Sequence, residues 1–175
     1  EFTAYREKYT EEEYPYSEVT TCYIDEGEQM TIESLLYAMM LRSSCEAAST
    51  LAYIVGEGSI QNFVSMMNKR AKELGAVNTV FKNPHGLDQE GHVSTAYDMA
   101  LLTRYAMNNE HYRRIVSTES IIVKSSMKTY KWNNKNKLLS SYEYCTGGKT
   151  GYTDVARSTL ITFAEKDGMV LVCVV

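Results

Sequence analysis

The apolar residues of this chain change their period once, and that change limits what the chain can fold into. From Ile32 to Met107 they recur at helical spacing. Leu35, Leu36, Met39 and Met40 form one stripe, which predicts a core-facing helix over 32–42. Thr31 is placed to cap it, and Glu33 suits its positive end. Arg42-Ser43-Ser44-Cys45 interrupts the stripe, and its hydroxyl residues suit a helix break or cap. A second helix is predicted over 46–55, through Ala47, Ala48, Leu51, Ala52 and Val55. Ser59 opens a third over 60–74, with Gly75 just past its end. Ser94 or Thr95 caps a fourth over 96–107, with Asp98 at the capping-box position relative to Thr95. A short helix near 110–116 follows.

Beyond that point the pattern is that of strands. Residues 120–124 and 128–132 read as a hairpin, and 145–151, 158–165 and 169–175 as three strands. Asp167-Gly168 is a two-residue hairpin turn between the last two. The unbroken apolar run from Met169 to Val175 reads as a strand buried on both faces or cut in mid-sheet. A helical block followed by an antiparallel meander is an α+β fold, here a single domain over residues 1–175.

The remaining segments are short. Residues 1–20 read as extended or irregular, with the acidic run Glu11-Glu12-Glu13. Cys22-Tyr23-Ile24 and Thr79-Val80-Phe81 read as short strands, and Asp25-Glu26-Gly27-Glu28 and Asn83-Pro84-His85-Gly86-Leu87 as turns. A net charge of -4 leaves no basic footprint for nucleic acid. No apolar run approaches the ~20 residues that a membrane-spanning helix needs. Cys22, Cys45, Cys145 and Cys173 lie far apart, which argues against a zinc knuckle or a redox dithiol and favours small buried thiols. The three histidines are scattered, so no metal site is expected.

Gly147-Gly148-Lys149-Thr150-Gly151-Tyr152-Thr153 is the stretch with chemistry in it. A lysine at a strand edge supplies a fixed positive charge for a carboxylate or a proton relay. The Thr150 hydroxyl can donate to the same carboxylate, and Gly151 leaves room for an extended ligand along the strand. Taken alone, the tripeptide is weak evidence and reads more readily as a surface turn with a solvated lysine.

Several blocks in fixed order lend it weight. They are Thr31-Ile32-Glu33-Ser34-Leu35-Leu36-Tyr37, then Leu41-Arg42-Ser43-Ser44-Cys45-Glu46-Ala47-Ala48, and then Met67-Asn68-Lys69-Arg70-Ala71-Lys72-Glu73-Leu74-Gly75. Phe81-Lys82-Asn83-Pro84-His85-Gly86-Leu87-Asp88 and Ser94-Thr95-Ala96-Tyr97-Asp98 follow, and Gly148-Lys149-Thr150-Gly151-Tyr152-Thr153 closes the set. From about Cys22 to Val175 the chain resembles the low-molecular-mass D-alanyl-D-alanine carboxypeptidases, the penicillin-binding protein 5 type of serine peptidase family S11. The resemblance implies the penicillin-binding protein or serine β-lactamase fold and acyl transfer without a cofactor. It implies peptidoglycan stem peptides ending in D-Ala-D-Ala as substrates, β-lactams as inhibitors, and a location outside the cytoplasmic membrane. It makes Ser43 the proton-relaying hydroxyl and Lys149 its partner across the cleft. Cys45, Thr150, Gly151 and Thr153 become substrate contacts. Asn134-Lys135-Asn136-Lys137-Leu138-Leu139 resembles the family's Asn-x-Asn-x-Leu-Leu segment, so Lys135 is a further candidate for the substrate carboxylate, or else a solvated loop lysine.

Two departures stand out. The family's Ser-x-x-Lys nucleophile segment precedes the Ser-x-Asn motif, and no Ser-x-x-Lys lies before Ser43 here. Ser125-Ser126-Met127-Lys128 has the spacing but falls in the predicted hairpin, where it reads as coincidence. The expectation is therefore an internal fragment of a longer carboxypeptidase, truncated at both ends, without its attacking group and prone to self-association through exposed sheet edge. A catalytically inactive peptidoglycan-binding or regulatory homologue is the alternative, and a serine β-lactamase a weaker third reading. Second, Cys45 stands where the motif has Asn, and a thiol is a poor substitute for an amide that both donates and accepts. Cys45 as an alternative nucleophile is the minor reading of that position. His85 reads as a structural turn histidine in preference to a catalytic one.

Overall fold

The computed structural model describes residues 2–4 and 19–175. The expected irregular N-terminus and the run Glu11-Glu12-Glu13 lie almost wholly outside the described residues. A two-residue strand, β1 (Phe2–Thr3), pairs antiparallel with β2 (Gln29–Met30). Five helices follow: α1 (Ile32–Arg42), α2 (Cys45–Val55), α3 (Ile60–Glu73), α4 (Ala96–Ala106) and α5 (Glu110–Val116). The hairpin β3 (Ser120–Lys124) and β4 (Thr129–Asn133) comes next, then a single turn of helix, α6 (Leu138–Ser141), that the sequence pattern did not announce. β5 (Cys145–Thr153), β6 (Arg157–Lys166) and β7 (Met169–Val174) form an antiparallel sheet in that order.

Local chemistry sets these boundaries. Thr31 Oγ1 accepts from Ser34 N at 3.1 Å and starts α1. Ser43 ends it in the left-handed conformation, φ 61°, with its amide returned to the last turn. The next residue, Ser44, is the N-cap of α2 and accepts from Ala47 N at 3.1 Å. The two caps are thus adjacent residues, and the break expected at Ser43-Ser44 is a sharp corner. Thr95 caps α4 through Asp98 N, but the Asp98 carboxylate turns instead to Asn78 N (2.7 Å) and Thr79 Oγ1 (2.8 Å), so the capping box is half formed.

The core joins α1 and α2 to the β3–β4 hairpin: Leu35, Ala38, Leu41, Ala47 and Leu51 pack with Val123, Tyr130, Trp132 and Ile115. Phe163 of β6 is buried too, and its ring lies 6.3 Å from that of Tyr112, which ties the sheet to α5. Cys22-Tyr23-Ile24 is not a strand. It is a strap onto the start of α2, where Glu46 Oε1 accepts from Cys22 N (2.5 Å) and Cys45 N donates to Thr20 O (2.9 Å). Thr79-Val80-Phe81 contributes one bridge, Val80 to Val93, in place of a strand. β7 is the outer strand of its sheet and is not buried on both faces: Met169, Val170 and Leu171 are exposed. All four cysteines are free, Cys22 and Cys45 being buried.

Candidate active site

The corner between α1 and α2 faces the strand that carries Lys149. Lys149 lies on β5 opposite Ile161 of β6, and its ammonium donates to Ser43 Oγ and to Thr150 O, the latter at 2.5 Å. The left-handed turn at Ser43 is what presents its hydroxyl at that corner. For a residue other than glycine this conformation is mildly unfavourable, and such strain persists where surrounding contacts enforce it. Burial pushes the Lys149 ammonium down to about 8, with repulsion from Lys135 adding to the effect.

Lys135 reaches the same place by a backbone route. Its amide donates to Leu41 O at 3.2 Å, next to the end of α1, and its own ammonium is lowered by desolvation and by Arg42. The Asn134 and Asn136 side chains hold this loop. Asn134 Oδ1 accepts from Asn136 N at 2.9 Å, Asn136 Oδ1 accepts from Leu138 N at 3.1 Å, and Asn134 Nδ2 donates to Thr118 O at 3.1 Å. Cys45 is the first residue of α2 and is buried, close enough for its charge state to bear on both Lys135 and Lys149. Arg42, Lys135 and Lys149 make the corner positive. The arrangement can hold an anion and pass a proton between Lys149 and Ser43.

The strand approaches this corner closely because it opens with glycines. A Cβ on Gly148 would sit 2.3 Å from Ile161 O and 2.8 Å from Asn136 Nδ2, and one on Gly147 would sit 2.7 Å from the Phe163 ring and 2.9 Å from Val116. Gly151 is needed for a different neighbour: a Cβ there would meet the hydroxyl of its cross-strand partner Thr159 at 2.4 Å.

The profile of the peptidase S11 family, D-alanyl-D-alanine carboxypeptidase, matches residues 3–175 of this corner-and-strand layout. The chain belongs to the D-alanyl-D-alanine carboxypeptidase family. It is 38% identical over 154 residues to the D-alanyl-D-alanine carboxypeptidase DacF of Bacillus subtilis, across 87% of this chain and 39% of that protein. It is 34% identical over 157 residues to the D-alanyl-D-alanine carboxypeptidase of Streptomyces sp. strain K15, across 83% of this chain and 54% of that one. The crystal structure of the Streptomyces K15 DD-transpeptidase superposes with a TM-score of 0.86 at 33% identity, covering 89% of this chain and 64% of that one. The fold is therefore the α+β fold of the penicillin-binding DD-peptidases, and this chain spans 39% to 54% of those two curated relatives.

Within this family member, Ser43, Cys45, Lys135, Lys149 and Thr150 gather at one corner. Thr153 does not share their setting: it is buried near the far end of β5, its hydroxyl donating to Asp88 Oδ1 (3.0 Å) and accepting from Ala156 N (2.9 Å). Ser125 is a hairpin-turn residue. Its hydroxyl donates to Glu28 and accepts from the amides of Met127 and Lys128, while Lys128 Nζ turns away to Asp25 Oδ2 and Tyr23 O, each at 2.7 Å. His85 Nδ1 accepts from Leu87 N at 3.3 Å within its own turn, and burial depresses its imidazolium to about 4. Sequence reasoning missed Asp88 as the partner of Thr153, Asn136 as the support beneath Gly148, and Arg42 as a charge on the corner. Asp88 and Asn136 stood in blocks that matched the family, but their partners lie 65 residues away across the fold for Asp88 and on a neighbouring strand for Asn136.

Proposed function

We propose that this chain supplies the substrate-holding and proton-relaying part of a serine-type D-alanyl-D-alanine carboxypeptidase that acts on peptidoglycan stem peptides outside the cytoplasmic membrane, and that the serine which is acylated is not among these residues. The observation that carries this reading is the contact between Lys149 and Ser43 in a corner made positive by Lys135 and Arg42. The terminal carboxylate of a D-Ala-D-Ala peptide meets Lys149, Lys135 and the Thr150 hydroxyl. Because Lys149 donates to Ser43 Oγ, the Ser43 hydroxyl proton is free to point at the scissile amide nitrogen. When the C–N bond breaks, that nitrogen takes the proton of Ser43, and Ser43 takes one from Lys149.

A second reading shares the groove: a homologue that binds stem peptides without turnover. It is favoured by the fate of Ser125-Ser126-Met127-Lys128, whose serine and lysine are both engaged in structural contacts.

Intact-protein mass after incubation with a fluorescent penicillin tests the proposal. No adduct is expected on the 175-residue chain, and one adduct is expected on a longer polypeptide that carries Ser-x-x-Lys ahead of it. An adduct on this chain, mapped to Cys45, Ser43 or Ser125, would overturn it. A longer polypeptide with Ser-x-x-Lys that binds stem peptide but neither acylates nor turns over would decide for the second reading. We also propose that the chain self-associates through the outer edge of β7, where Met169, Val170 and Leu171 stand exposed. A monomer by light scattering at high concentration would count against that.

A further inference from the structure

Between Ser120 and Tyr142 the chain carries Lys124, Lys128, Lys131, Lys135 and Lys137 and no acidic residue, although the protein as a whole has a net charge of -4. The hairpin is the centre of this basic stretch. One face of it is core, formed by Val123, Tyr130 and Trp132. The other face is open. Ile122 is 66% exposed and is paired across the hairpin with Lys131; Lys124 pairs with Thr129, and Met127 at the tip is 58% exposed.

The tip is fixed in place. Ser126 N donates to Gln29 O (3.0 Å), Gln29 N donates to Ser126 Oγ (2.9 Å), and Ser125 Oγ donates to the buried carboxylate of Glu28, which also takes the Tyr130 hydroxyl. Lys128 Nζ donates to the carbonyl of Tyr23, so that residue adjoins the tip. Tyr23 is held at φ 58° and is 81% exposed. The outer face therefore presents Ile122 between Lys124 and Lys131, with Met127 at the tip, while Tyr23 and Lys128 stand at the tip on the side of Tyr130. Lys128 is paired with the carboxylate of Asp25.

We infer that the outer face of the β3–β4 hairpin, with Tyr23 at its tip, is a docking surface for an anionic lipid bilayer. Charge complementarity draws the lysines to acidic headgroups, and the apolar side chains between them enter the headgroup region. A soluble polyanion would use the lysines and leave Ile122, Met127 and Tyr23 without purpose, so the mixture of the two chemistries selects a lipid surface. The site lies outside the Ser43–Lys149 corner and does not depend on the peptidase reading.

Flotation of the full chain with vesicles of one part phosphatidylglycerol to three parts phosphatidylcholine, against phosphatidylcholine alone, tests it. Binding to the anionic vesicles is expected, weakening as salt rises. Lys124→Gln with Lys131→Gln should weaken it about 25-fold. Ile122→Ser with Met127→Ser should weaken it severalfold at any salt concentration. An unchanged circular-dichroism spectrum and urea midpoint confirm that these exposed variants stay folded. Equal binding to neutral vesicles, no response to the lysine changes, or capture by inorganic polyphosphate with no response to the Ile122 and Met127 changes would each overturn the inference.

Discussion

Lys149 donates to the hydroxyl of Ser43 across 106 residues of sequence, from the first strand of the three-stranded sheet to the left-handed end of the first long helix. Within its own stretch of chain Lys149 donates to the carbonyl of Thr150, and it reaches the Ser43 hydroxyl only across the fold. The contact exists because the α1–α2 corner and β5 are brought together, with Lys135 drawn in through the carbonyl of Leu41. Four expectations follow from this corner and its supports.

The charge of Lys149 sets a pH limit. Its ammonium is pushed from 10.5 down to about 8 by burial, so an anionic peptide ending in D-Ala-D-Ala should bind with constant affinity below pH 7 and lose affinity above about pH 8. The stability effect has the opposite slope. Between about 8 and 10.5 the unfolded chain holds a proton that the folded chain has lost, so stability rises with pH across that window. The penalty is present in full below it. Lys149→Met should therefore abolish peptide binding yet raise stability at pH 7, by up to about 3 kcal/mol. Isothermal titration calorimetry and urea unfolding check the two halves.

Gly148→Ala should disrupt the corner without touching a reactive group. The added methyl would sit 2.3 Å from a backbone carbonyl of β6, which cannot rotate away. A loss of about 3 kcal/mol is expected, seen as a fall in Tm of roughly 6 to 12 °C. Gly86→Ala is a useful control, since no atom lies within 4 Å of its Cβ position and only backbone strain opposes it.

Thr153 anchors the far end of the same strand. Thr153→Val keeps its shape but removes the donor to Asp88 Oδ1, whose other oxygen is already buried without a hydrogen-bond partner among the described residues. The expected loss is about 2 kcal/mol by urea unfolding, with Thr153→Ser close to the parent. If Val and Ser variants are equally stable but equally poor at binding a stem peptide, Thr153 acts on the ligand and not on Asp88.

The histidine turn should make the protein acid-sensitive. Burial, with like-charge repulsion from His92, depresses the folded His85 imidazolium to about 4 against 6.5 for the free group. Below pH 6.5 the unfolded chain binds a proton that the folded one refuses, so stability falls as pH drops toward about 4. His85→Asn should flatten that slope. The test is the difference in urea midpoint between pH 7 and pH 5 for the two proteins, and an unchanged difference would show that His85 does not carry the effect.

Most of the fold was legible because its signals are local. The first helix follows from the stripe Leu35, Leu36, Met39, Met40 and the cap Thr31, and it occupies the residues that this pattern indicates. The break at Ser43-Ser44 and the turn Asp167-Gly168, both residues of which have positive φ, are likewise set by single-residue chemistry. The misreadings fell where a segment's partners are distant. Cys22-Tyr23-Ile24 has strand composition but bonds to a glutamate on α2. Of the two readings of the apolar run from Met169 to Val175, burial on both faces did not hold: Met169, Val170 and Leu171 are exposed.

What the sequence by itself determined is the family, the order of helices and strands, and the residue types available to the site. Those follow from periodicity, caps and turns, each decided within a few residues. Only the tertiary structure decided which of those residues meet. It brought Lys149, Lys135 and Arg42 to the Ser43 corner, depressed the lysine by burial, and set Thr153 against Asp88. A side chain's charge and hydrogen bonds depend on what surrounds it in space, and those surroundings come from parts of the chain that carry no mark of one another.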